Sequence, residues 1–161
     1  MELRKYVAKE VKLVTLRECL LTEETRVCDT PEKAAAYWRA HIADCPYLDS
    51  ERECFVIVLL NTRRHVKGHH FVSMGTLDTI LVHPREVFRV AIVAAAAAII
   101  LMHNHPSGDP TPSEADVKAT RDLIRAGQLI KIEVLDHVVL GRANGERSKD
   151  WVSLRELGYF Y

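Results

Sequence analysis

The chain has 161 residues, 48% of them hydrophobic, which is most simply one globular domain able to bury a sizeable core. Lysine plus arginine and aspartate plus glutamate both total 22, so the bulk charge offers no field to gather a polyanion such as DNA. The longest apolar run, residues 90–102, falls short of the roughly 20 residues that a membrane helix needs and belongs to a core.

Cys19, Cys28, Cys45 and Cys54 stand far apart without a C-x-x-C pair, and no basic, apolar leader precedes them. That usage predicts a reduced, cytoplasmic protein. In chain order, TPEKAAAYWRAHI predicts a helix with Thr30 as N-cap and Pro31 at its first position. ECFVIVLLNT is apolar at almost every position, as a strand buried on both faces must be. RRHVKGHHFVSMGTLDTILV alternates more loosely around Gly68 and Gly75 and reads as a strand pair with turns. HPREVFRVAIVAA reads as a helix with Pro84 near its start, and AAIILM as a second central strand. In TPSEADVKATRDLIRAGQ, Ser113 and Asp116 have capping-box spacing with Asp in place of Glu, and Gly127 is the expected C-terminal stop. LIKIEVLDHVVLG is a strand, GRANGERS a loop and WVSLRELG a short terminal helix. Helices alternating with apolar strands imply a layered α/β domain.

Chemistry concentrates in HNHPSGDPTPSEAD, residues 103–116. His103 and His105 follow the C-terminal end of a predicted central strand, the edge where α/β sheets build sites. Two residues apart in an extended segment, they point to the same side, and Asp116 in the first turn of the next helix can return toward them. Two imidazoles and a carboxylate are three ligands, the number that leaves a tetrahedral zinc one open position. Alone, an H-x-H is more often an ordinary pair of histidines, and Asp116 a helix-capping acid. The combination H-x-H-P with S-x-x-D at a strand end and a helix start is far more specific. Glu53 opens the first central strand and suits a general base if that strand neighbours the one ending at His103; otherwise it is a solvated strand-end acid. Pro106, Pro110 and Pro112 restrict the intervening loop, and Gly108 permits a turn.

Other groups carry less. His69 and His70 are adjacent on a strand and face opposite sides, which argues against joint ligation. Asp136 and His137 read as a satisfied structural pair inside the sheet, with a hydrogen bond to a metal ligand as the alternative. Arg63, Arg64 and Lys67 read as a solvated hairpin turn rather than a phosphate site.

The set Glu53, His103-x-His105, Ser113 and Asp116 resembles the full motif of the JAMM metalloproteases, the JAB or MPN-plus domain. NTR, GTLDTILVHPREVF, HNHPSGDPTPSEAD and LDHVVLG are similar to its RadC branch from about Val27 onward. The resemblance implies a cytidine-deaminase-like α/β fold: a mixed sheet with flanking helices in a three-layer-like arrangement, residues 27–161 forming the domain and 1–26 an N-terminal extension without the family's usual helix-hairpin-helix pattern. It also implies zinc on His103, His105 and Asp116, Glu53 as general acid/base, and Ser113 supporting the oxyanion. The expected function is a zinc-dependent peptidase or isopeptidase acting through a zinc-activated water on a peptide or protein substrate, with weak or no nucleic-acid binding and no membrane. The alternatives are a DNA-associated, repair-linked protein, which the neutral charge does not favour, and a binding module that retains the fold. A zinc nucleobase deaminase would need H-x-E and P-C-x-x-C, and neither occurs.

Overall fold

A computed structural model describes residues 10, 12, 14–75 and 82–161. Among the described residues, five strands form one mixed sheet: β1 (Cys54–Leu60), β2 (Val66–Met74), β3 (Ala98–Asn104), β4 (Glu133–Leu140) and β5 (Trp151–Ser153), in the order β2-β1-β3-β4-β5. Only β3 and β4 run parallel; the other neighbours are antiparallel. The parallel pair needs a crossover, and the 17-residue helix α3 (Glu114–Ile130) supplies it. Helix α1 (Pro31–Tyr37) continues into a π-helical turn, Trp38–Ile42, and α2 (Pro84–Val93) precedes β3.

The sheet is covered on both sides, which is why β1 and β3 are apolar at nearly every position. Val56, Val58, Ile100 and Met102 pack against Ala34, Tyr37 and Trp38 of the α1 layer. Phe55, Ile57, Ile99 and Leu101 pack on the other face against Val87 and Phe88 of α2 and Leu123 of α3. The result is a three-layer α/β/α domain, as the alternation of elements implied. Among the described residues, no helix is long and apolar enough to cross a membrane.

The helix starts follow their capping chemistry. The Thr30 side chain accepts from the Lys33 N–H, His83 Nδ1 from the Arg85 N–H, and Ser113 completes a reciprocal capping box with Asp116. Two expectations need correction. Gly127 does not stop α3; the helix runs to Ile130, and Lys131 takes the left-handed position at φ 60°. A Cβ at Gly127 would lie 2.4 Å from the Ile132 carbonyl oxygen and 3.2 Å from Phe88, so this glycine serves close packing. WVS is not helical but pairs as β5 on β4, its helix-like apolar spacing coming from one buried strand face followed by turns. Of the strand pair expected in residues 63–82, Val66–Met74 forms one strand, and the second half, residues 76–81, lies outside the described residues.

One irregularity interrupts the parallel pair. In the β3/β4 ladder Ile99 pairs with Val134 but Ile100 pairs with Asp136, so Leu135 is an extra residue. The bulge shifts the alternation: Val134 packs with the α3 face, whereas Leu135, Val138 and Leu140 pack with the α1 face. His137, between them, is thereby turned toward α3.

Gly127→Ala tests the packing argument. The helix-propensity gain of up to about 1 kcal/mol should be outweighed by an overpacking cost of about 1–3 kcal/mol. Thermal unfolding should show a lower midpoint, by about 2–4 °C per kcal/mol for a chain this long. An equal or higher midpoint contradicts it.

Candidate metal centre

Strand β3 delivers His103 at its C-terminal end, and the parallel ladder carries on for one more bond, from the His105 N–H to the Leu140 carbonyl at 2.8 Å. Both rings therefore emerge on the same side, with His103 Nε2 2.9 Å from His105 Nε2. The first turn of α3 closes the group: Asp116 Oδ1 is 3.3 Å from His103 Nε2, and Oδ2 is 3.4 Å from His105 Nε2. One ligand atom from each residue lies within 4.8 Å of the others. His103 is only 1% exposed, while Asp116 and His105 keep a partly open side.

The capping box aims Asp116. Its Oδ2 accepts from both the Ser113 N–H and the Ser113 hydroxyl at 2.7 Å, and Ser113 Oγ accepts from the Asp116 N–H at 3.1 Å. His105 is aimed by its loop: Nδ1 lies 2.7 Å from the Asp109 carbonyl, an obligate acceptor, so Nδ1 carries the proton and Nε2 presents a lone pair in the neutral ring. Asp109 is held by the Thr111 N–H and hydroxyl and by Arg147. Arg147 also donates to the Gly108 carbonyl, and Arg142 to that of Pro106. Gly108 adopts φ 87°, and a Cβ at Gly141 would lie 2.4 Å from its carbonyl oxygen. The GRANGERS loop thus braces the HNHPSGD loop through backbone approach as well as charge.

Glu53 enters from β1. The antiparallel register sets Phe55 opposite His103, so Glu53, two residues past the end of that ladder, falls level with His105, and its charge contributes to the field at His105. Asn104, between the two histidines, points the other way and clamps this entry: its Oδ1 accepts from the Cys54 N–H at 2.9 Å and its Nδ2 donates to the Arg52 carbonyl at 3.0 Å.

Electrostatics separate the groups. Burial disfavours the Asp116 carboxylate, but hydrogen bonds from His103 and His105 and the His103 charge overcome it and hold its pKa well below the usual range. For His105 burial likewise acts against the cation, and Asp116 with the Asp109 carbonyl outweighs it, raising the pKa. Burial drives His137 the other way, well below an ordinary histidine. An anion facing two imidazole nitrogens at 2.9 Å separation is a donor set that a divalent cation satisfies. Imidazole and carboxylate donors in this number suit several divalent metals, zinc among them.

The structure brings His103, His105 and Asp116 together, with Ser113 on Asp116 and Glu53 beside His105. It sets His69 and His70 apart from them: His69 Nδ1 meets the Tyr37 hydroxyl at 2.9 Å. Arg64 sits in the β1–β2 turn at φ 62° and pairs with Glu133, while Lys67 donates to the carbonyls of Ala94 and Ala95. Asp136 and His137 are not a side-chain pair. Asp136 accepts from Ser153 and from the backbone of His137 and Arg155, and His137 reaches His103. Asn104, Thr120, Asp109 and Arg147 escaped sequence reasoning, since nothing in their spacing marks them.

Fold and site together define a three-layer α/β domain with a His-His-Asp group at the C-terminal end of a central strand. The profile of the RadC-like JAB domain matches residues 28–159, and the chain belongs to that family. It is 48% identical over 109 residues to a UPF0758 protein of Caldanaerobacter subterraneus subsp. tengcongensis, covering 68% of this chain and 44% of the relative. A UPF0758 protein of Bacillus pumilus is 42% identical over 138 residues, covering 86% and 57%. One of Desulforamulus reducens is 54% identical over 93 residues, covering 58% and 41%. The chain spans about half the length of the curated relatives it matches.

His69 yields a pH prediction away from the centre. Burial, then the charges of Arg17, His41 and His70, push its pKa down to about 4 from 6.5. The folded chain keeps the ring neutral where the unfolded chain protonates it, so its contribution to stability is complete above pH 6.5 and is lost as pH falls toward 4. His69→Gln retains a partner for Tyr37 and removes the titration. Denaturant unfolding across that range should show a shallower acid-side loss than wild type, and an unchanged slope contradicts the assignment.

Proposed function

We propose that this domain is a zinc-dependent hydrolase of the JAMM type that cleaves peptide or isopeptide bonds. The observation that carries the reading is the convergence of His103, His105 and Asp116, with Glu53 brought alongside by strand register. His103 and His105 would hold the ion through Nε2, and Asp116 through the carboxylate. Bound zinc supplies Lewis acidity, which acidifies water toward a pKa of about 7 and polarises a carbonyl.

The chain's own residues do the rest. Glu53 takes the proton of the attacking water on its carboxylate and returns it to the leaving amine. Ser113 supports the developing oxyanion by turning its hydroxyl proton away from Asp116 Oδ2, an effect of about 3 kcal/mol at comparable sites. Its oxygen can keep accepting from the Asp116 N–H meanwhile, so capping and catalysis draw on different parts of one hydroxyl. An extended peptide laid along a sheet edge would present its carbonyl at a fixed position through backbone hydrogen bonds. A balanced charge of 22 against 22 gives no bulk positive field, which favours a peptide over DNA in a cytoplasmic setting.

Purified protein should bind about one zinc per chain, and His103→Ala should remove most of it. Glu53→Gln should keep the zinc and abolish cleavage of a proteome-derived peptide library read by mass spectrometry. Loss of zinc in Glu53→Gln would make Glu53 a ligand and sink this mechanism. In a salt series, labelled oligonucleotides should bind no tighter than about micromolar at physiological salt. Tight, sequence-selective DNA binding without peptide cleavage would overturn the reading.

A further inference from the structure

The carbonyl oxygen of Asp116 lies 2.6 Å from Thr120 Oγ1, one helical turn along α3. A carbonyl only accepts, and a hydroxyl has one proton to give, so Thr120 spends its proton there. The same Oγ1 is 2.6 Å from His137 Nδ1, and having no proton left it must accept, which places a proton on His137 Nδ1. His137 is 1% exposed, and among the described residues its two ring nitrogens hydrogen-bond to Thr120 and His103, neither an anion, so a buried imidazolium would have no directly paired charge. Its Nε2 is therefore an acceptor. His103 Nδ1, 2.8 Å away, must donate to it, and His103 Nε2 is left with a bare lone pair facing His105 and Asp116.

We propose that Thr120 and His137 are positioning residues that lock His103 in its Nδ1–H tautomer and so aim its Nε2 lone pair at the metal. The relay rests on the metal reading above for its purpose, though not for its geometry. It begins and ends on Asp116, whose carboxylate closes the site while its main-chain carbonyl sets the direction of the last bond. Metal-bound histidines commonly donate their second nitrogen directly to a carboxylate or carbonyl. Here a second imidazole and a hydroxyl are interposed, and the β4 bulge makes this possible by turning His137 to the α3 side.

Two readouts test it. Long-range proton–nitrogen correlation spectra of the zinc-free wild type, taken above the ordinary histidine pKa, should show His103 and His137 both as Nδ1–H tautomers; an Nε2–H His103 overturns the relay whatever zinc does. Thr120→Val keeps the side chain's shape and removes the hydroxyl. Chelator competition should show zinc affinity about 10-fold weaker or more, with mixed tautomers at His103, while Thr120→Ser restores both. Wild-type affinity and a single Nδ1–H His103 in Thr120→Val would overturn the proposal. Wild type without zinc affinity would instead defeat the metal reading, and the tautomer spectrum alone would then decide the relay.

Discussion

The parallel pairing of β3 with β4, interrupted by one extra residue at Leu135, is the constraint on which the centre depends. Side chains alternate along a strand, so without the bulge Val134, Asp136 and Val138 would share one face and His137 would turn toward α1. Asp136 would then enter the α3 side beside His103, and Val138 would leave the apolar cluster it shares with Ala34 and Trp38. With the bulge, His137 lies over Thr120, while Asp136 is released to accept from Ser153 and to fasten β5 to the sheet. One inserted residue thus separates two buried polar groups that are adjacent in sequence and gives each its own task.

Asp116 joins folding to function in a similar way. A residue at the third position of a helix is held by the capping box whether or not a metal is present, so its carboxylate is placed by the same bonds that start α3. Its low pKa reflects partners that would otherwise face one another uncompensated: the two Nε2 atoms at 2.9 Å need either a shared proton or a cation between them. The prolines, Gly108 and the Arg142/Arg147 brace limit the freedom of the loop between His105 and Asp116.

Much of this was legible in the sequence. The apolar runs of β1 and β3, the Thr30 and Ser113 caps and the spacing of His103, His105, Ser113 and Asp116 are local signals, and local physics governs them. Glu53 required one non-local guess, that β1 and β3 are neighbours, which the register bears out. What stayed hidden was non-local. Gly127 looked like a helix stop because a conformational reason and a packing reason for glycine are identical on paper. WVS looked helical because three residues cannot establish a period. His137 and Thr120 could not be linked to His103 because a β-bulge leaves no mark in an apolar strand, and Asn104 could not be assigned because its partners, Arg52 and Cys54, lie 52 and 50 residues away.

The central claim is that this geometry is a zinc site, and locating the ion tests it most directly. Crystals of zinc-loaded protein measured on both sides of the zinc absorption edge should show one strong anomalous peak bonded to His103 Nε2, His105 Nε2 and an Asp116 carboxylate oxygen, at about 2.0–2.2 Å from each. A peak on other residues, such as His69 or the cysteines, or zinc-loaded crystals with no peak at this strand end, would contradict the account.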